Sequence, residues 1–254
     1  MNYIDYQLVD RVAVITLNRP QALNALSDDL KKELFSTINQ SLKDETVRVI
    51  VLTGEGKGFC AGGDIKAQAT RDNNAIERRS IFKEMNNMIR AVYQSPKPII
   101  CAVNGFAIGA GLGLALMGDL IVSSSKAKFS APFIKLGLVS DAGVSYMMSR
   151  RIGLGKTKRL LLTGESINGE LAEKWGLVDW LVEPEELMTT TLKIARDLAN
   201  SSEIAVDIIK SISNNIQDVS FDVALDQEMS NQIMCLHSSE HKERVKAFVE
   251  SIKK

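Results

Sequence analysis

Two short stretches of this chain combine glycine with small apolar residues in a way that could do chemistry. They are FCAGGD at residues 59–64 and CAVNGFAIGAGLGLALMGD at residues 101–119. Each follows an apolar strand pattern and runs into a turn that opens onto a helix. Glycine turns expose backbone N–H groups, and the first N–H groups of a helix have no partner within it and carry partial positive charge. Two such turns facing one point would hold a developing negative oxygen. A carboxylate across from that point would supply the proton transfer.

The elements that must position these turns are readable as patterns. Residues 4–9 and 12–17 read as two strands joined tightly at Asp10-Arg11, a hairpin. Ser27 is an N-cap for a helix running to about residue 44, with Leu30, Leu34, Ile38 and Leu42 along one face. Residues 47–52 and 99–103 read as buried strands. The polar stretch 68–79 reads as a mobile segment, followed by a helix at 81–92 that stops at Pro96-Lys97-Pro98. A short helix is expected at 110–117 and short strands at 120–123 and 128–129. After about Pro184 only helices are expected, at 185–200, 202–214, 221–239 and 241–252. Strand, glycine turn, helix and strand again is the rhythm of an α/β protein. The units VRVIVLTGEGKGF and PIICAVNGFAIG look alike, but two copies are too few for a repeat array.

Bulk composition narrows the function classes. The 254 residues include 45% hydrophobic and 24% charged, enough for a substantial core. Lys plus Arg equals Asp plus Glu at 31 each, so no overall field recruits nucleic acid or an anionic membrane. No apolar run is long enough for a bilayer, and the N-terminus lacks a basic region followed by an apolar run and a cleavage site. Three scattered cysteines suggest neither a disulfide framework nor a zinc site. A cytoplasmic enzyme or binding protein is the expectation.

Several motifs in one order extend the reading: LNRPQALNALS (17–27), FCAGGDI (59–65), PKPIICAVNGFAIGAG (96–111), KLGLVSDAG (135–143), LTGESINGELAEKWGLVDWLV (162–182) and KAFVE (246–250). Together they resemble the crotonase superfamily, the enoyl-CoA hydratase and isomerase family, over nearly the whole chain. The resemblance implies an α/β fold, a crotonase-type spiral of βαβ repeats with a C-terminal helical region. Residues 1–195 would form the spiral core and residues 196–254 an oligomerisation region, assembled as a homotrimer or dimer of trimers. It implies an acyl-CoA thioester as substrate and no separate cofactor, coenzyme A being part of the substrate. The oxyanion donors fall on the N–H groups of Gly63 and Ala110. Ala22 and Leu23, with Ala61, Gly62, Asp64, Ile65 and Lys66, fall along the CoA. Arg19, Lys57 and Lys66 are nearby charges for phosphates. Phe248 matches an aromatic that the family's tail offers to a neighbour's CoA, but Ser251-Ile252 stand at the basic positions that follow, leaving Lys253 or Lys254 as substitutes.

The family's hydratases use two glutamates, and the matching positions are Gly113 and Phe133. Neither transfers a proton, and adding water needs the water activated and the α-carbon protonated. Asp141, in GLVSDAG, matches instead the acid/base position of the isomerase branch, which includes the 1,2-epoxyphenylacetyl-CoA isomerases. Leu138, Val139, Ala142, Val144 and Phe133 are apolar neighbours expected to raise its pKa by burial. Without the resemblance, Asp141 reads more simply as the cap of a helix starting near Gly143.

Other readings stand beside this one. A hydratase of unusual mechanism is the first rival. A dehalogenase-like nucleophilic aspartate would need a histidine base, and no histidine precedes His237. A non-catalytic acyl-CoA binding or RNA-associated protein is a rival of another class. His237 and His241, four apart, lack a third metal ligand and read as solvated helix residues. Asp64 and Asp119 read as caps and main-chain braces as well, Cys60 as a thiol beside the pocket without a base, and Leu112, Leu114 and Leu116 as packing residues. Ser140, Ser145 and Tyr146 are candidates for the acyl site with no assigned role.

Overall fold

The structure, a computed structural model, describes residues 2–69 and 74–252, with Gln68 described in its backbone alone. The chain opens with the expected hairpin of β1 (Ile4–Val9) and β2 (Val12–Leu17). Asp10 and Arg11 take φ of 50° and 66° at its tip, the left-handed pair that matches strand twist in a two-residue turn. α1 (Asp28–Lys43) starts where Ser27 Oγ accepts from the Leu30 N–H at 3.3 Å, and it buries Leu30, Leu34 and Ile38. β3 (Val49–Gly54), β4 (Gly58–Cys60), α2 (Ile65–Ala69) and α3 (Ala75–Tyr93) follow.

Next come β5 (Ile99–Val103), β6 (Phe106–Ile108), α4 (Ala110–Leu116), β7 (Leu120–Ser124) and β8 (Lys128–Ser130). A 3₁₀ turn (Pro132–Leu136) leads to α5 (Val144–Thr163), broken at Gly153, then β9 (Ser166–Asn168), α6 (Gly169–Trp175) and β10 (Trp180–Val182). The chain ends in α7 (Leu187–Ala199), α8 (Glu203–Asn215), α9 (Phe221–His237) and α10 (Ser239–Ser251).

Strands of successive turns alternate between two sheets. The larger has the order β1-β2-β3-β5-β7-β10, parallel except for the β1–β2 hairpin. The smaller has the order β4-β6-β8-β9. Each turn of the spiral thus lays down a long strand, then a three-residue strand in the second sheet, then helix. β7 and β8 are a third copy of the strand-to-loop unit recognisable in the sequence only twice.

Strand parity divides the core. Ile15, Ile50, Leu52, Cys101, Val103 and Ile121 pack toward α1, α3 and α4. Val12, Val14, Val49, Val51, Ile100, Ala102 and Val122 pack on the other face against Leu187, Ala195 and Ala199 of α7. A sheet buried on both faces needs this second cover. The boundary expected at residue 195 therefore falls inside a helix that belongs to the core, and of the four C-terminal helices only α9 and α10 have no buried residue.

The polar stretch expected to be mobile is largely helical where it is described. Asn74 caps α3 by accepting from the N–H groups of Ile76 and Glu77, while Glu77 accepts back from the Asn74 N–H. This reciprocal capping box starts the helix at Ala75, six residues before apolar spacing becomes visible. Residues 70–73 of that stretch, and Lys253 and Lys254, lie outside the described residues.

α8 is fastened to the sheet by a buried ion pair. Lys210 Nζ lies 2.8 Å from Asp119 Oδ2 and also donates to the Val92 and Lys97 carbonyls. Asp119 in turn accepts from the Ile99 N–H at 2.7 Å, bracing the start of β5. Burial pushes the Asp119 carboxyl up and Lys210 opposes it. Lys210→Ala strands that carboxylate, and a loss of about 3 kcal/mol is expected by urea unfolding, the scale for breaking a buried pair. A loss below about 0.5 kcal/mol would mean α8 is held by other contacts.

Candidate active site

The two glycine turns touch. Gly62 has φ +86°, and a Cβ there would lie 2.5 Å from the Ile108 carbonyl oxygen and 3.3 Å from the Ala110 nitrogen. A Cβ at Gly111 would lie 2.1 Å from the Cys60 carbonyl oxygen. Real side-chain carbons do not approach so closely, so only hydrogens at these positions let the loops meet backbone to backbone.

The segment at residues 19–26 holds the first loop from behind. The Ala61 N–H donates to the Leu23 carbonyl at 2.9 Å and the Leu26 N–H to the Gly62 carbonyl at 2.7 Å. Asn24, wholly buried, donates to the Gly58 and Glu55 carbonyls and accepts from the Arg19 N–H. Leu23 and Asn24 both take left-handed φ to do so.

Between the loops and α3 lies a cavity of about 190 Å³. Ala61, Gly62, Gly63, Asp64, Ile65, Ala110, Phe133 and Asp141 all line it. The N–H groups of Gly63 and Ala110 donate to no protein acceptor among the described residues. Ala110 is the first residue of α4, so its N–H has no acceptor within the helix.

Asp141 enters from the opposite side. Its Oδ1 is buried with no hydrogen-bond partner among the described residues. Desolvation is the largest influence on it and pushes its carboxyl above the usual carboxylate range. The capping alternative does not describe this side chain: the cap of α5 is Gly143, with no side-chain cap bond, and Asp141 offers only its carbonyl, to the Val144 N–H. Ala142 and Val144 are buried beside it, but Val139 is 87% exposed and Leu138 53% exposed, so the desolvation owes little to Val139.

The other two carboxylates of the cavity are engaged. Asp64 accepts from the Ala67 N–H and from Arg19 Nη1 at 2.7 Å, and these hold its carboxyl below the ordinary value, the Ala67 bond most. Asp28 pairs with Lys31 at 2.8 Å. Arg19, expected as a phosphate contact, spends its Nη1 on Asp64 and the Ala25 carbonyl instead.

Some expected residues are not in the cavity wall. Ala22, Leu23 and Lys66 do not line it; Leu23 supports its loop from outside. Phe248, on α10, is 66% exposed and does not line it within one copy. Ser140, Ser145 and Tyr146 do not line it either; Tyr146 lies under the Arg150 guanidinium. Cys60 is fully buried and its thiol is pushed up to about 12, which removes thiolate chemistry. Leu112, Leu114 and Leu116 are core residues. Among the described residues no cluster of three or more potential metal ligands exists.

Residues from α1 and α3 were missed as a wall. Lys31, Ile81, Phe82 and Met85 all line the cavity. The Asn74-x-x-Glu77 capping box was the available signal that a helix begins early enough to reach it.

In this α/β spiral two amides without a protein acceptor and a buried carboxyl oxygen without a partner, among the described residues, share one cavity, and relatives place the scaffold. The pattern of the enoyl-CoA hydratase/isomerase family matches residues 8–254, and the chain belongs to that family. It is 35% identical over 251 residues to the 1,2-epoxyphenylacetyl-CoA isomerase of Escherichia coli strain K12, covering 98% of this chain and 96% of that protein. It is 36% identical to the short-chain-enoyl-CoA hydratase of Clostridium acetobutylicum over 100% of this chain and 97% of that protein. The crystal structure of an enoyl-CoA hydratase from Bacillus anthracis superposes with a TM-score of 0.94 at 31% identity, covering 98% of this chain and 97% of that one.

The raised Asp141 carboxyl has a consequence for stability. A proton binds it more tightly in the folded chain than in the unfolded one, so its contribution favours folding at acid pH and is lost as pH rises through the folded value. Asp141→Asn keeps the shape and cannot ionise. It is expected to raise the melting temperature at pH 7, with the gain shrinking as pH falls toward about 4, the unfolded carboxylate range. Calorimetry at several pH values checks this, and an Asn variant less stable than the parent at pH 7 contradicts it.

Proposed function

We propose that this chain is an enoyl-CoA isomerase that moves a carbon–carbon double bond in an acyl-CoA thioester. Asp141 takes a proton from C2 of a 3-enoyl-CoA, and the electron pair passes through C1 to the thioester oxygen. The dienolate oxygen rests on the N–H groups of Gly63 and Ala110. The same carboxyl then returns the proton to C4, leaving a conjugated 2-enoyl-CoA. Donors of this kind act because charge grows on the oxygen in the transition state, and one is worth about 2.7–4 kcal/mol in other enzymes.

The observation that carries this reading is a carboxylate whose buried Oδ1 has no partner, sharing a cavity with two amides that have no acceptor, among the described residues. One carboxylate is sufficient for a 1,3-proton shift, and burial raises its basicity above that of an ordinary carboxylate. Hydration is the second reading, favoured by the name of the Clostridium acetobutylicum relative. It needs a second group to hold and activate water. Position 113 is packed shut against Ala142 and position 133 is an apolar ring, which weighs toward the isomerase. A non-catalytic acyl-CoA binder remains the reading if no turnover is found.

The wider assignment follows from the same scaffold. The substrate brings its own coenzyme A, so no separate cofactor is proposed, and the protein is proposed to work in the cytoplasm. Self-association as a trimer or a dimer of trimers is supported by the apolar residues that α9 and α10 leave exposed, among them Phe221, Met229, Ile233 and Phe248. Within such an assembly Phe248 would reach a neighbour's CoA.

Two measurements test the assignment. Absorbance of the conjugated thioester is expected to rise with a linear 3-enoyl-CoA or to change with a ring-epoxide CoA ester, and to stay constant with crotonyl-CoA. Rapid loss of crotonyl-CoA would instead assign a hydratase. Asp141→Asn is expected to lower kcat by about 10²–10⁴-fold, the usual worth of a general base, with acyl-CoA affinity within severalfold. In the parent the rate falls as pH drops through the raised Asp141 pKa, because the base must be ionised.

A further inference from the structure

α4 touches both halves of the site. Its first residue carries the Ala110 amide, and one turn later Gly113 meets the segment that carries Asp141. A Cβ at position 113 would lie 2.6 Å from the Ala142 carbonyl oxygen, 2.7 Å from the Ala142 Cβ and 3.2 Å from Val144 Cγ2. The turn pressed into this space is unusual. Ala142 has φ +52° and Gly143 φ +73°, so two left-handed residues follow Asp141 directly. For a residue with a side chain that conformation costs about 1–2 kcal/mol and persists only where surrounding contacts over-determine it. Ala142 is 2% exposed, and the methyl group that makes its conformation costly is the one seated against Gly113.

We propose that Gly113 is a positioning residue: its missing side chain is the seat for Ala142, and this contact fixes how far the Asp141 carboxylate stands from the Ala110 amide. The inference rests on the proposed role of Asp141. Because residues 110 and 113 lie on one buried helical turn, the base and one oxyanion donor share a single rigid reference. The same seat leaves no space for an acidic side chain on this turn of α4, so it also excludes a second proton-transfer group there. Asp28, Lys31, Asp64 and Arg78 are the other charged groups of the cavity, and a change at position 113 touches none of them.

The assay should read enolisation alone, so that it holds for an isomerase or a hydratase. Deuterium incorporation at C2 of butyryl-CoA in D2O, followed by NMR, does this. Gly113→Ala is expected to slow exchange by about 100-fold, the effect of misplacing a catalytic group by about 1 Å. Affinity for butyryl-CoA should stay within about threefold, since the misplaced group acts in the transition state rather than in binding. The acidic limb of the exchange-rate profile should move down as the displaced carboxylate gains water. Ala142→Gly, which relaxes the left-handed strain and should fold in any case, removes the seated methyl and is expected to slow exchange by about tenfold by the same loss of position.

Gly113→Ala/Ala142→Gly removes the methyl-to-methyl overlap but keeps the 2.6 Å approach to the residue 142 carbonyl oxygen, so it should recover only part of the rate lost in Gly113→Ala. Exchange within about twofold of the parent in both single variants would overturn the proposal, being smaller than any displacement of the base would cause. So would a slowed Gly113→Ala variant whose acidic limb is unmoved. Near-parent exchange in Asp141→Asn would sink the Asp141 reading itself. A dead Asp141→Asn beside indifferent changes at 113 and 142 would sink only the seat.

Discussion

The site depends on two places where main chain meets main chain with no side chain between. At Gly62 and at Gly111 a methyl group would overlap a carbonyl oxygen of the opposing loop. Those contacts bring the amides of Gly63 and Ala110 to one cavity and leave both without a protein acceptor among the described residues. An unpaired buried donor typically costs about 1–3 kcal/mol, so such an arrangement survives only on a scaffold that cannot relax to satisfy it. The scaffold here is a parallel sheet packed on both faces, with α4 buried along its whole length beneath it. Stability drawn from the sheet holds two hydrogen-bond donors open toward the cavity, without a protein acceptor among the described residues.

Asp141 is the complementary case. It lies against apolar surface, without an opposing charge at bonding distance, where every other carboxylate of the cavity has a cation or an amide. The contrast with Asp64, a few residues from the same amides, is instructive. Asp64 is bound to Arg19 and Ala67 and lies low; Asp141 has only its own backbone N–H to oppose burial and lies high. Environment separates two identical side chains into an ion-paired brace held low and a desolvated carboxyl pushed high.

Much of the fold was legible in the sequence because local patterns and tertiary demands agreed. The hairpin at Asp10-Arg11, the Ser27 cap, β5 and the tail helices all carry their own signals. The misses have physical reasons. β4, β6 and β9 are three residues each, too short for alternation to register. α3 begins in polar residues because its first turns face solvent, so apolar spacing appears late and the cap alone marks the start. α7 reads as one more tail helix, yet it covers a sheet face, which only strand parity in three dimensions reveals. The glycine loops and Asp141 stood out by type and order. The wall from Lys31, Ile81 and Met85 did not, since nothing in those side chains announces which distant loop they face. Val139 shows the converse error: an apolar neighbour in sequence that points to solvent.

The three cysteines divide in a useful way. Cys60 and Cys101 are wholly enclosed, with thiols pushed up to about 12, while Cys235 on α9 is partly open. An alkylating reagent added to the native protein meets one sulfur at once and the other two only when the sheet parts. Cys60 also contributes the carbonyl on which Gly111 rests, so its labelling clock runs only when the two loops separate. Alkylation of Cys60 would therefore report parting of the two glycine loops, and that of Cys101 parting of the sheet from α4.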